Sequence, residues 1–217
     1  MDTEESWAVI ASQRRSLADL LEGLSDEQWE SPSLCDGWRV RDVAAHVSMV
    51  ALPPSPAAML GEAVRARGNF HRLNHDVAVR AARRPVADIV AALRQHADSR
   101  RLPVVTNYRN VLFDILVHGQ DIALPLGMDR PMPTLAAVAG AERVWTMGWP
   151  FWAQRRLRGI RLVADDADWA AGSGAEARGP VSALLLVLTG RPAGVPALRG
   201  PGADEAAARL FGPPVSA

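Results

Sequence analysis

The chain has 217 residues, 48% of them apolar, and its 24 basic residues balance 24 acidic ones. That length buries a core in one large domain or two small ones, while zero net charge and a pI near 7 argue against a nucleic-acid binder. No apolar run reaches the roughly 18–20 residues of a bilayer span, and the N-terminus is acidic where a signal peptide is basic. The single cysteine, Cys35, closes no intrachain disulfide. Together these features predict a cytoplasmic protein with no nucleic-acid or membrane partner. Every basic residue is Arg. Nothing in folding demands the absence of Lys, so with abundant Ala, Gly and Pro it reads as the mark of a GC-rich genome.

Taken in chain order, the first half reads as helices. Trp7, Ile10, Leu17, Leu20, Leu21 and Leu24 recur at helical spacing over residues 4–24. Ser25-Asp26-Glu27-Gln28 predicts a short capped helix, and a loop with Pro32 and Cys35 follows it. Further helices are expected over 39–52, 57–82, 86–101, 108–124 and 135–148, several of them stopped by Pro or Gly. From residue 158 the composition changes. Residues 159–164 alternate like a half-buried strand, 168–171 and 175–178 suit two more, and 181–188 suits a buried helix before Gly190. Residues 190–202 form a Pro/Gly-rich connection, and 204–210 suit a last short helix. The organisation expected is a helical bundle over 1–157 and a small α+β domain over 158–217.

The helix at 108–124 carries the clearest anomaly. Val111, Leu112, Phe113, Ile115, Leu116 and Val117 are apolar all round it, which predicts burial. Asp114 sits inside that run, with His118 four residues on and Asp121 three beyond, all on one face. A buried carboxylate must be paired, protonated or metal-bound. A hydrogen-bonded Asp114–His118 pair is one solution. On the helix at 39–52, His46 lies among apolar neighbours with Asp42 four residues before it. Two such histidines and a carboxylate on facing helices suit a divalent metal with open positions. Asp42 or Asp121 then holds the distal nitrogen of a ligand histidine.

Ser33-Leu34-Cys35-Asp36-Gly37-Trp38-Arg39-Val40-Arg41-Asp42-Val43-Ala44-Ala45-His46 resembles the signature of the mycothiol-dependent maleylpyruvate isomerase family, within the DinB-like superfamily. Asp114-x3-His118-Gly119-Gln120-Asp121 resembles that family's downstream metal motif. Asp166-Ala167-Asp168-Trp169 and the run from Gly179 to Arg191 resemble the small C-terminal domain of many members. The resemblance implies a mainly α fold, a DinB-like four-helix bundle followed by the α+β domain. It also implies a divalent metal, usually Zn2+, on His46, Asp114 and His118, with a low-molecular-weight thiol attacking an electrophile as its thiolate. Mycothiol is the thiol of many GC-rich actinobacteria, which agrees with the Lys-free composition. Two positions depart from the pattern. Asp114 stands where the isomerase carries Glu, a reach shorter by about 1.5 Å, and Arg39 stands where the family often has a capping Thr or Ser.

Other candidates have plainer readings. His71 and His75, four apart and next to Asp76, sit among polar neighbours and suit a solvated face, and His96 suits the surface. Cys35 precedes a helix N-terminus, which would activate a thiol, but its place beside Trp38 suits packing. Trp145, Trp149 and Trp152 read as a core or interdomain stripe, and Gly172-Ser173-Gly174 is too short for a phosphate loop. Arg191, Arg199 and Arg209 could meet a substrate carboxylate at a domain cleft. The function expected is a thiol transferase or isomerase with small-molecule thiol and electrophile as partners, acting as monomer or homodimer. A hydrolase using metal-bound water and a non-catalytic binding module with the same fold are the alternatives.

Overall fold

The computed structural model describes residues 1–51, 70–102 and 106–212; within the second stretch, side chains are described for Leu73 and from His75 onward. Helix α1 (Thr3–Glu22) opens on a capping box in which Asp2 and Glu5 each accept the other's backbone N–H at 2.8 Å. Its inward stripe of Trp7, Ile10, Leu17 and Leu21 is buried. A second capping box, Ser25 with Gln28, starts the short helix α2 (Asp26–Glu30), which buries Trp29. Four longer helices follow: α3 (Val40–Ala51), α4 (Phe70–Ala81), α5 (Val86–Gln95) and α6 (Tyr108–Ala123). Helix α1 packs on α5 and α6, and α3 packs on α4, α5 and α6, so α3 and α6 face each other. Residues 57–69 of the helix expected over 57–82 lie outside the described residues.

Two buried arginines tie the bundle together. Arg14, 1% exposed on the inward face of α1, donates to the carbonyls of Ala97 and Ser99 at 3.1 and 2.8 Å. Those carbonyls turn to Arg14 rather than continuing a ladder, and α5 ends at Gln95 instead of reaching 101. Burial pulls the Arg14 pKa down to about 10, well above neutrality, so it stays charged. Arg130 crosses α6 at Gly119 and donates to Ser16 Oγ and to the Gln13 carbonyl, each at 3.0 Å. A Cβ at Gly119 would stand 2.6 Å from the Arg130 Nε, so any other residue there must push the arginine off this crossing.

The chain divides into two compact units, Asp2–Arg130 and Pro131–Ala217. This division lies well before residue 157, where the composition changes. The reason is helix α7 (Thr134–Thr146), whose Ala136, Ala137, Gly140, Ala141 and Val144 are buried and which packs against the C-terminal helix α9 (Val181–Leu188). Composition marks where strands begin; packing marks the unit. After the short α8 (Ala153–Arg156) come β1 (Ile160–Ala164), β2 (Ala170–Gly172) and β3 (Ala175–Gly179), in the order β2-β1-β3. Strand β1 runs antiparallel to β2 and parallel to β3, with Leu162 opposite Ala171 and Ala177. Trp169, expected in a strand, is buried just before β2 and donates its Nε1 to Glu142 at 3.1 Å. Asp166 accepts the Val181 amide at 2.8 Å and starts α9, and Gly190 at φ +85° follows its end. A 3-10 turn (Pro192–Ala197) and α10 (Ala203–Phe211) complete the unit. The tryptophan stripe is not core: α7 stops at Thr146, and Trp149 and Trp152 are 52% and 49% exposed.

Candidate metal centre

The first residues of α3 decide what Asp42 does. Its carboxylate accepts the Arg39 backbone N–H at 2.9 Å and the Arg39 guanidinium at 2.9 and 3.0 Å. That closes the first helical turn where the position before the helix has no hydroxyl. Asp42 is therefore occupied at the helix start and does not hold His46, contrary to the expectation from its spacing. His46 itself lies one turn further along the same helix, with its ring turned to α6.

Helix α6 is apolar all round and buried at Val111, Leu112, Phe113, Ile115, Leu116 and Val117, while Asp114 and His118 sit one turn apart on the face toward α3. The two carboxylate oxygens divide between the two rings. Asp114 Oδ1 stands 3.4 Å from His118 Nε2, and Oδ2 stands 3.7 Å from His46 Nε2. The rings lie 4.9 Å apart and nearly perpendicular at 72°. These distances are long for hydrogen bonds. Two N or O donors on one tetrahedral zinc ion, each about 2.0–2.1 Å from it, stand roughly 3.3–3.5 Å apart. The three side chains thus fit a shared divalent ion. They also keep 27% (Asp114), 17% (His46) and 13% (His118) of their surface, so the cluster is reachable. Among the described residues no fourth protein donor joins it.

Behind His118 the arrangement is tighter. Its Nδ1 donates to Oδ2 of Asp121 at 2.8 Å, and Asp121 is fully buried. The ring is therefore held with Nε2 toward Asp114, the orientation that a ligand histidine receives from a carboxylate. The same Oδ2 accepts from Cys35 Sγ at 3.1 Å, and Leu34 N–H donates to the Asp121 carbonyl at 3.1 Å. Cys35 is thus more than a packing residue. Trp38 covers the centre, stacked on His118 (6.5 Å between centroids, 9° between planes) and edge-on to His46 at 5.5 Å. Sequence reasoning took Trp38 only as part of a motif; the signal for its place is an aromatic in the loop that leads into the helix of His46.

Burial alone would push the Asp114 carboxyl up. The charge of His118, with His46 beside it, outweighs this and holds the group well below the usual carboxylate range. Burial also works against a charged His118, but Asp114 first, then Asp121 and Cys35, raise its pKa well above the ordinary value. Without an ion the centre is a carboxylate–imidazolium pair, and a cation would take the proton's place.

The remaining candidates separate. His75 lies against Asp76 at 3.3 Å and meets the edge of Trp38 at 6.4 Å; the side chain of His71 lies outside the described residues. Arg199 pairs with Asp165 at 2.7 Å, and Arg209 with Glu205 and the Arg158 carbonyl. Both charges are answered within the C-terminal unit, which removes the basis for giving them a substrate carboxylate. Arg191 donates to the Thr189 carbonyl at 2.6 Å.

No helix among the described residues is long and apolar enough to cross a membrane. No curated protein matches the chain. Two solved structures share its fold over 94% of both chains at 12% identity. They are the mycothiol-dependent maleylpyruvate isomerase, at a TM-score of 0.63, and a histidine-to-alanine variant of that enzyme, at 0.64. The family model for the mycothiol maleylpyruvate isomerase N-terminal domain matches residues 10–123, more than half of the chain and all three residues of the centre. The chain belongs to the mycothiol maleylpyruvate isomerase family.

Proposed function

We propose that this protein is a metal-dependent enzyme that uses mycothiol to isomerise, or to transfer the thiol to, a small electrophile. The observation that carries this reading is the Asp114 carboxylate standing 3.4 and 3.7 Å from two imidazole nitrogens on a partly exposed face, with no fourth protein donor among the described residues. A closed, four-ligand cluster would favour a structural ion and the binding-module reading. A divalent ion, Zn2+ by donor type, would supply a Lewis-acid centre that favours the thiolate over the thiol.

The chain's own residues have distinct tasks. Asp121 fixes the His118 ring by taking its Nδ1 proton in a hydrogen bond. Asp114 supplies the negative charge that sets the net charge of the centre. Trp38 shields the rings from bulk water on one side.

The test is metal analysis of the purified protein beside His46→Ala and His118→Ala. About one equivalent of zinc is expected in the parent and none in either variant. Adding mycothiol to cobalt-substituted protein should then produce a sulfur-to-cobalt charge-transfer band. Absence of metal after metal-replete purification would sink the reading. A cobalt-loaded protein with no band at millimolar thiol would move it to water-based hydrolysis.

A further inference from the structure

The ring of His118 has two nitrogens, and each belongs to a different cluster of donors. Nε2 faces Asp114 and His46. Nδ1 lies 2.8 Å from Asp121 Oδ2 and 3.7 Å from Cys35 Sγ, and that sulfur lies 3.1 Å from the same Oδ2. Sulfur, nitrogen and oxygen therefore form a closed triangle on the far side of the ring, sharing only His118 with the first cluster. A thiolate, an imidazole and a carboxylate suit a thiophilic divalent ion. On a tetrahedral zinc ion the sulfur would stand roughly 3.6 Å from either partner and the N and O roughly 3.3 Å apart. The three donors need to move by no more than about half an ångström to match this. Cys35 is half-buried on a loop and Asp121 is fully buried, so the entry is from the cysteine side.

We propose that Cys35, His118 Nδ1 and Asp121 form a second cation site, one that takes Cd2+ or excess Zn2+ and opposes occupation of the first. The opposition rests on the reading of His118 as a ligand in the proposed enzyme centre; binding to the second cluster does not. The cation displaces the Cys35 thiol proton to solvent and the Nδ1 proton of His118, the imidazole regaining one proton at Nε2 where zinc leaves it, and no group is oxidised or reduced. It also removes the hydrogen bond by which Asp121 orients the ring toward the first site. An ion behind His118 thus loosens the ion in front of it.

Titration of the zinc-loaded protein with Cd2+, in buffer free of thiols, tests this. Cys35 is the only cysteine of the chain, so a near-ultraviolet sulfur-to-cadmium charge-transfer band reports this cluster alone. The expected result is a saturable band, accompanied by zinc release to a chelating dye. The band should vanish in Cys35→Ser, weaken at least about tenfold in affinity in Asp121→Asn, and persist in His46→Ala. No band in folded protein at excess Cd2+ overturns the proposal. So does a band that binds as tightly in Asp121→Asn and His118→Ala as in the parent, since Cys35 would then bind the ion alone. Failure of the proposed enzyme centre has a different signature: parent protein without zinc, whatever the cadmium band does.

Discussion

Asp114→Asn is expected to strip the protein of its metal, weakening zinc affinity by more than about a hundredfold, beyond the range for removing an outer-sphere partner. The carboxylate is the one negative charge that faces both imidazoles, at 3.4 and 3.7 Å, and a carboxamide keeps the shape while removing the charge. The amide also removes the largest of the interactions that favour a charged His118 and leaves those of Asp121 and Cys35. Asp114→Glu is the companion variant. It adds a methylene, about 1.5 Å of reach. It is expected to hold zinc within about tenfold of the parent, because charge and donor type are kept. Competition against a zinc-binding dye measures both. Full zinc content in the Asn variant would show that Asp114 is not a ligand.

The second large effect is a divergence with pH between the metal-free and zinc-loaded protein. In the metal-free protein the Asp114 pKa is lowered, so its contribution is present above the unfolded carboxylate value of about 3.9 and is lost as pH falls through the native one. The His118 pKa is raised, so its contribution is complete below the unfolded value of about 6.5 and is lost as pH rises through the native one. The metal-free protein should therefore gain most from this pair between roughly pH 4 and 6.5 and lose that gain on the alkaline side. In the loaded protein a cation stands in for the His118 proton, and affinity rises as that proton becomes easier to remove. Thermal melts of chelator-treated and zinc-loaded samples from acid to alkaline pH would show Tm falling in the first and holding or rising in the second. Parallel curves would mean that no ion replaces the proton.

How much of this was legible depends on what each pattern measures. An aspartate inside a helix that is apolar all round is an anomaly of composition, and it pointed to Asp114 without any structure. The spacing of four and three from Asp114 to His118 to Asp121 is a property of the helix alone, so the face they share could be read directly. The same spacing misled at Asp42. A carboxylate four residues before a histidine is also the third residue of a helix, and the unpaired Arg39 amide claimed it first. Periodicity failed at Trp149 and Trp152 because a stripe means a face only while the helix continues, and α7 ends before them. The contact of Cys35 with Asp121 spans 86 residues of chain, and no local pattern carries it. It depends on the loop before α3 folding back onto the last turns of α6.

Gly119 and Arg130 have a consequence for how this centre can change by mutation. The glycine next to His118 leaves room for an arginine that lies across it, and the arginine is held in turn by Ser16 and Gln13 on the first helix. A larger residue at 119 must push the arginine aside, and the displaced guanidinium gives up its bonds to Ser16 and the Gln13 carbonyl. The turn of α6 that carries His118 is in this way coupled to a part of α1 that touches neither cluster of donors.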